Sequence, residues 1–80
     1  MQITAQLFGH YADLFPKGIL ALEVPEQVTV AAFQSLLAKV DMRLANVVHC
    51  RIAVNDEYAL ADDIIESGST VAILPPMSGG

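Results

Sequence analysis

Residues 29–40, TVAAFQSLLAKV, decide how the rest of this 80-residue chain can fold. Apolar side chains recur there every three or four residues, which is the spacing of one face of an α-helix. Thr29 stands at the start, where a hydroxyl can accept a hydrogen bond from the first helical turn. The stretch therefore predicts a helix with an apolar face made of Val30, Phe33, Leu36, Leu37 and Val40.

Two strands are predicted before this helix. Residues 2–8, QITAQLF, alternate between apolar and polar, as a half-buried strand requires. Residues 19–24, ILALEV, are predicted to form the second strand, with the register at its first two residues left open. The segment between them contains Pro16 and Gly18 and reads as a turn with at most one helical turn. The predicted inward face of the first strand carries Ile3, Ala5 and Leu7.

Two further strands and a short one are predicted after the helix. Residues 51–55, RIAVN, and 70–74, TVAIL, have strand character, and a short strand near Tyr58 is expected between them. Gly68 marks the turn before the last strand, whereas residues 41–49 read equally as helix or loop. The side chains expected to face inward are Ile52, Val54, Val71 and Ile73.

The predicted order is ββαβ(β)β, which indicates the α+β class. We expect a mixed sheet of four to five strands with one main helix across one face. The first two strands would be antiparallel, and the helical crossover would let the last strand run parallel to the first. This is the pattern of a β-grasp, or ubiquitin-like, domain over residues 1–74, followed by a flexible tail at 75–80 that ends in Gly-Gly.

Composition narrows the class of partner. The formal net charge is −5, with 4 Lys and Arg against 9 Asp and Glu. A nucleic-acid partner would require a basic stripe, so we expect none, whereas a basic protein partner fits. No signal peptide or membrane-spanning run is evident, and Cys50 is the only cysteine. A cytoplasmic protein is therefore expected.

Strand alternation predicts an apolar patch on the solvent side of the sheet. Phe8 falls on the same side as the polar residues of the first strand, and Leu74 falls opposite the inward residues of the last. If these strands are neighbours, Phe8 and Leu74 lie together where the tail leaves the sheet. Exposed apolar clusters often mark partner sites. Tyr58 could join this patch or cover the edge of the core.

The tail begins with two prolines, which lack an N–H and cannot extend a sheet ladder. Met77 and Ser78 follow, and Gly79 and Gly80 end the chain. Six extended residues reach roughly 20 Å, enough to place the terminal carboxylate in a deep, narrow site on another protein. Two glycines suit such a channel because they have no side chain. A carboxylate must first be activated, so this interpretation requires a partner enzyme; the alternative is an ordinary solvated terminus.

The motif PPMSGG at residues 75–80 resembles the end of the small subunit of molybdopterin synthase, a family of ubiquitin-like sulfur carriers. Residues 51–76 are similar to the second half of that family, and residues 29–40 match its helix. The resemblance covers most of the chain, and the tail is its most specific part.

This resemblance implies a chemistry for the tail. The Gly80 carboxylate would be adenylated by a partner activating enzyme that uses ATP and zinc, then sulfurated to a thiocarboxylate. The tail would enter the large synthase subunit and donate sulfur to cyclic pyranopterin monophosphate, two carriers serving one heterotetramer. The chain would bind no cofactor or metal and would be part of an enzyme only as this subunit, acting as co-substrate.

The resemblance also implies partner-binding residues and one departure from the family pattern. Apolar residues on the open sheet face would meet the partner, together with the tail. Ala12 stands where the family often has a basic residue, which puts a salt bridge from that segment in doubt. The expected partner-binding residues are Phe8, Tyr58, Leu74, Pro75, Pro76, Met77 and Ser78.

The other residues that are candidates for catalysis or metal binding are better explained by structural roles. Cys50 fits a small buried residue better than a nucleophile, and His10 and His49 lack the spacing of a zinc site. The acidic pairs 56–57 and 62–63 fit solvated turns. A thiamine-pathway sulfur carrier and a ubiquitin-like interaction module that carries no sulfur remain alternatives, and the eventual metal, molybdenum or tungsten, stays open.

Overall fold

The computed structural model describes residues 1–76, which form a five-stranded mixed sheet with one α-helix across one face. This confirms the predicted α+β class and β-grasp architecture. Three 3₁₀ segments complete it: Gly9–Leu14 and Pro16–Gly18 join the first two strands, and Met42–His49 follows the helix. The regular elements are β1 (Gln2–Leu7), β2 (Ile19–Glu23), α1 (Val30–Val40), β3 (Arg51–Val54), β4 (Glu57–Tyr58) and β5 (Thr70–Leu74).

The strand order across the sheet is β2-β1-β5-β3-β4. β1 is antiparallel to β2 and parallel to β5, as the helical crossover predicted. β3 is antiparallel to both β5 and the short β4. The parallel β1–β5 pair brings the ends of both strands to the same edge of the sheet, which places the root of the tail beside the end of β1.

The inner face of the sheet packs against α1 to form the core. Phe33 and Leu37 of the helix are fully buried, and burying a side chain of this size contributes roughly 1.5–3 kcal/mol. Val40 is the exception to the predicted apolar face: it is 46% exposed because the helix ends there. The sheet residues buried in this core are Ile3, Ala5, Leu7, Ile52, Val71 and Ile73.

The N-terminus of α1 is capped by its own sequence and by a distant loop. The Thr29 hydroxyl accepts a hydrogen bond from the Ala32 N–H at 3.1 Å, which confirms the predicted N-cap. The Val30 N–H donates to the Asp63 carbonyl at 2.9 Å, and the next N–H donates to Ala61 at 3.0 Å. These bonds tie the segment after β4 to the helix, since the first N–H groups of a helix have no partner within it.

A two-residue turn at Asn55 and Asp56 joins β3 to β4. Both residues have positive φ, 51° and 72°, as a type I′ hairpin turn requires. The Asn55 side-chain oxygen accepts from the Thr70 N–H at 3.0 Å, and its amide donates to the Ser69 hydroxyl at 3.3 Å. Asn55 therefore holds the hairpin that carries Tyr58 against the start of β5.

Within the described residues 1–76, no helix is both long enough and apolar enough to cross a bilayer.

Candidate functional site

One row of side chains crosses all five strands on the face opposite the helix. Gln6 of β1 lies opposite Ile19 on β2 and Ala72 on β5. Ala72 lies opposite Ala53 on β3, which lies opposite Tyr58 on β4. Because residues in register share a face, these five side chains point away from the core. Apart from the Gln6 amide and the Tyr58 hydroxyl, the row is apolar, so the middle of the outer face is largely apolar.

The predicted patch residues meet beside this row. Phe8, Tyr58 and Leu74 line one open depression of about 280 Å³. Phe8 is 39% exposed and Tyr58 69% exposed, whereas Leu74 is half-buried. The structure thus confirms that Phe8 and Leu74 lie together, and it places Tyr58 with them. Their role in binding a partner stays a prediction. The remaining lining residues are Gln6, Ala53, Asp56 and Ala72.

Tyr58 forms the ridge between this depression and a second one. The Arg51 guanidinium lies over its ring, 5.0 Å from the ring centroid, in a cation–π contact. A groove of about 370 Å³ lies on the other side of Tyr58, between β3 and the first turns of α1. Gln34 lines this groove, and its side-chain amide donates to the Val47 and Cys50 carbonyls, both at 3.1 Å. A change at Tyr58 therefore alters the rims of both surfaces.

The root of the tail lies at the edge of the apolar depression. β5 ends at Leu74, which agrees with the expectation that Pro75 and Pro76 stop strand pairing. Pro75 is half-buried and Pro76 is exposed. Gly9, at the start of the first 3₁₀ segment, contacts Pro75: a Cβ built on Gly9 would lie 2.9 Å from the proline Cγ. The predicted site residues Met77, Ser78, Gly79 and Gly80 lie outside the described residues.

Cys50 is a buried residue at the wall of the groove beside Tyr58. It is 9% exposed, and burial raises the pKa of its thiol, an effect that a hydrogen bond with Tyr11 partly offsets. Burial also raises the pKa of Tyr11, with a smaller contribution from Cys50. A protonated, buried thiol is a poor nucleophile, which fits the structural interpretation of this residue.

The remaining candidates lie on the surface. His10 is exposed and packs its ring against Tyr11 at 4.0 Å between centroids, and His49 is exposed as well. Among residues 1–76, no three His, Cys, Asp or Glu side chains lie close enough together to hold a metal ion. Asp56 is exposed on the rim of the depression, and Glu57 lies in β4 rather than in a turn.

Sequence reasoning missed three parts of this site. Ile19 belongs to the outer row, but alternation alone does not set its register because the strand follows a turn of irregular geometry. Ala53 and Ala72 are too small to signal a surface by themselves, and only cross-strand pairing puts them there. For Gly9 the sequence predicts only the end of a strand, since its contact with Pro75 depends on the parallel pairing of β1 with β5.

Solved structures of the same fold include a small archaeal modifier protein and subunits of the molybdopterin converting factor. The SAMP1 structure from Haloferax volcanii is 22% identical over 100% of both chains, with a TM-score of 0.83. A protein assigned as molybdopterin converting factor subunit 1 from Pyrococcus furiosus is 20% identical over 95% of this chain and 98% of its own, with a TM-score of 0.81. A complex of subunits 1 and 2 of the molybdopterin-converting factor from Helicobacter pylori gives 20% identity over 100% of both chains and a TM-score of 0.69. At these identities the structures show a shared fold.

Membership of a family rests on the sequence as well. The ThiS family model matches residues 5–80, which includes the second half of β1, the other four strands, the helix and the whole tail. The chain therefore belongs to the ThiS family of small ubiquitin-like sulfur carriers.

Proposed function

We propose that this protein carries sulfur for molybdenum cofactor biosynthesis as the small subunit of molybdopterin synthase. The single observation that supports this most is the position of the apolar depression, whose rim residue Leu74 is the last residue before the tail. A partner that covers the depression would receive the tail directly into its own interior. Six extended residues from Pro75 reach roughly 20 Å, so the reacting end can act far from the docking surface.

The proposed chemistry takes place at the Gly80 carboxylate. A carboxylate oxygen attacks the α-phosphorus of ATP on an activating enzyme, pyrophosphate leaves, and an acyl adenylate results. Hydrosulfide (HS⁻) delivered by that enzyme system then attacks the acyl carbon, a C–S bond replaces the acyl–oxygen bond, and AMP leaves, so that Gly80 ends in a thiocarboxylate. Activation is required because a free carboxylate is a poor electrophile, and AMP is the leaving group that makes acyl substitution possible. ATP is consumed by the partner, and this chain binds no cofactor in the proposal.

In the proposed complex, the large subunit covers Phe8, Tyr58 and Leu74. Tyr58 and Phe8 are solvated in the free chain, and covering them removes apolar surface from water, which favours association. The thiocarboxylate sulfur then forms a C–S bond with cyclic pyranopterin monophosphate. Water cleaves the acyl–sulfur bond, so that the sulfur stays on the pterin and Gly80 becomes a carboxylate again. One carrier supplies each sulfur of the dithiolene, so two carriers serve one heterotetramer. The likeness to a subunit 1 that is found in complex with a subunit 2 supports pairing with a large subunit, and we place the reaction in the cytoplasm.

Two other functions are alternatives that the experiment described below distinguishes from this proposal. A thiamine-pathway carrier would use the same thiocarboxylate with a different acceptor, and the Pro-Pro-Met-Ser step at residues 75–78 counts against it. A protein modifier would instead join Gly80 to an amine on another protein. The likeness to the small archaeal modifier protein 1 of Haloferax volcanii favours this as the second candidate.

The test is a reconstituted synthase with purified large subunit, activating enzyme, ATP, a sulfur donor and cyclic pyranopterin monophosphate. Wild-type protein should yield pterin dithiolene, whereas a variant that lacks Gly80 should yield none. The deletion variant should still bind the large subunit, because its sheet is unchanged. Dithiolene formed at the wild-type rate without Gly80 would contradict the proposal. Transfer of Gly80 to lysines of other proteins, with no dithiolene, would favour the modifier.

A further inference from the structure

We propose that Gly9 is a positioning residue that sets the direction in which the tail leaves the fold. This inference rests on the proposed function, since the direction matters only if the tail must enter a partner's site. The Gly9 backbone and the ring of Pro75 are in direct contact, and the space that a side chain on Gly9 would fill is occupied by that ring.

The contact is close and involves one residue. A Cβ on Gly9 would lie 2.9 Å from Cγ, 3.6 Å from Cδ and 3.7 Å from Cβ of Pro75. These are the three nearest atoms, and the shortest distance is one that real Cβ atoms essentially never show. Gly9 also has a φ of 63°, in the left-handed region where glycine is favoured. The backbone conformation therefore disfavours a side chain at this position, and the Pro75 ring leaves no room for one.

The contact follows from the parallel pairing of β1 and β5. Leu7 lies opposite Ile73, so the next residues along both strands, Phe8 and Leu74, lie at the same edge. Gly9 and Pro75 are the residues after those. Phe8 and Leu74 line the depression, and Gly9 and Pro75 meet just beyond it. The docking surface and the root of the tail are thus built from consecutive residues of the same two strands.

The restricted backbone of Pro75 allows this contact to control the direction of the chain that follows. Its ring restricts φ to a narrow range, and the following proline restricts Pro75 further toward an extended conformation. A ring held against the Gly9 backbone therefore leaves few directions for the chain that follows. A rotation of about 10° at Pro75 would move the end of an extended tail by about 3.5 Å. Reacting atoms in an active site must approach to roughly 3–3.5 Å in good alignment, so a shift of that size is large enough to matter.

The experiment compares Gly9→Ala with Gly68→Ala. Gly68 is a matched control because it also has positive φ, 83°, yet a Cβ there would meet nothing within 4 Å. Both substitutions place a side chain on a residue with positive φ, and only the first displaces Pro75. Sulfur transfer is followed in single turnovers at saturating large subunit, and docking affinity is measured separately by titration. We expect Gly9→Ala to slow transfer on the order of tenfold or more while changing Kd by less than about threefold. Gly68→Ala should change neither quantity to that extent.

A second pair of variants covers the case in which Gly9→Ala does not fold. Pro75→Ala removes the ring without strain at Gly9, and it should also slow transfer in single turnovers. Because Pro75 is itself among the expected partner-binding residues, its Kd is measured separately and transfer is compared at saturating large subunit. If Gly9→Ala folds, adding it to Pro75→Ala should lower the transfer rate much less than Gly9→Ala lowers it in the wild-type background. The reason is that the ring that the new side chain would displace is already absent. Equal transfer rates for Gly9→Ala, Pro75→Ala and Gly68→Ala would overturn the proposal.

A readout without chemistry separates this inference from the function on which it rests. In the wild-type protein, nuclear Overhauser effects should connect the Gly9 Hα protons to the Pro75 ring. Cα–Hα residual dipolar couplings of Pro75 and Pro76 should change in Gly9→Ala and stay constant in Gly68→Ala. Unchanged couplings in Gly9→Ala would refute the role of Gly9 whatever the chain carries. Changed couplings in a protein that never forms a thiocarboxylate would refute the proposed function alone.

Discussion

Replacing Tyr58 with alanine is predicted to weaken partner binding more than it weakens folding. Tyr58 is 69% exposed, so its truncation removes little buried surface from the free protein. Truncation removes the cation–π interaction with Arg51, about 0.5–1 kcal/mol at an exposed site, and the cross-strand pair with Ala53, about 0.2–1 kcal/mol. The free energy of unfolding should therefore fall by about 1 kcal/mol.

The effect on binding should be larger because docking would bury the whole ring. Tyrosine anchors near the centre of an interface cost about 2 kcal/mol or more when truncated to alanine. Since 1.4 kcal/mol corresponds to a tenfold change, this predicts a Kd for the large subunit that rises about 30-fold. Tyr58 stands on the ridge between two depressions, which makes it the most exposed of the three predicted anchors.

The assay pairs calorimetric titration against the large subunit with urea unfolding of the free chain. Tyr58→Phe is the matched control, because it keeps the ring and the Arg51 contact and should change Kd by less than about threefold. Phe33→Ala is the opposite control: Phe33 is fully buried on the inner face, and its truncation should cost about 3–5 kcal/mol of stability. Wild-type affinity for Tyr58→Ala, or a loss of stability as large as that of Phe33→Ala, would refute the reasoning.

Three further predictions concern stability and reactivity. Thr29→Ala removes the hydroxyl that caps α1 and should lower the free energy of unfolding by about 1 kcal/mol, measured by urea denaturation; an unchanged midpoint would show that the cap is dispensable. Hydrogen bonds from Arg43 lower the pKa of Asp41 to about 2, so its stabilising contribution is present above the ordinary carboxyl range and is lost as the pH falls toward 2. The melting temperatures of wild type and Asp41→Asn should differ near neutral pH and converge at low pH, and a difference that does not depend on pH would contradict this assignment. Burial raises the pKa of the Cys50 thiol, so alkylation at neutral pH should be slow in the native protein and fast in urea, whereas rapid native labelling would show an accessible thiolate.

The parts of the fold that local sequence dictates were predictable. Alternation placed Ile3, Ala5 and Leu7 on the buried face of β1, and helical spacing with Thr29 as the cap placed α1. These features depend on residues within a few positions of each other. Strand alternation also separated Phe8 from the buried set, which is why part of the candidate site could be predicted from the sequence.

The parts that depend on long-range register were not predictable from the sequence. The outer row through Ile19 and Ala72 exists only because β1 lies between β2 and β5 in one particular register. The contact between Gly9 and Pro75 joins residues near opposite ends of the chain. The segment at residues 41–49 was ambiguous because it forms a 3₁₀ helix, whose tighter geometry buries only Leu44 and Val47.

The separation of the two sheet faces explains how a chain this small can serve as a carrier. Stability comes from the inner face, where α1 covers the sheet, and this leaves the outer face free to retain apolar residues. Variants on the outer face should therefore report on partner binding with little interference from folding, which makes the two properties measurable separately.

The central claim, that the chain carries sulfur on its own C-terminus, is tested most directly by intact mass. Protein co-expressed with its activating enzyme should gain about 16 Da, because one carboxylate oxygen is replaced by sulfur, and the gain should map to the C-terminal peptide. A variant with one residue appended after Gly80 should show no gain. Two results would contradict the account. One is an unchanged mass for wild-type protein that has been co-expressed with an activating enzyme able to adenylate it. The other is a mass gain that maps elsewhere in the chain.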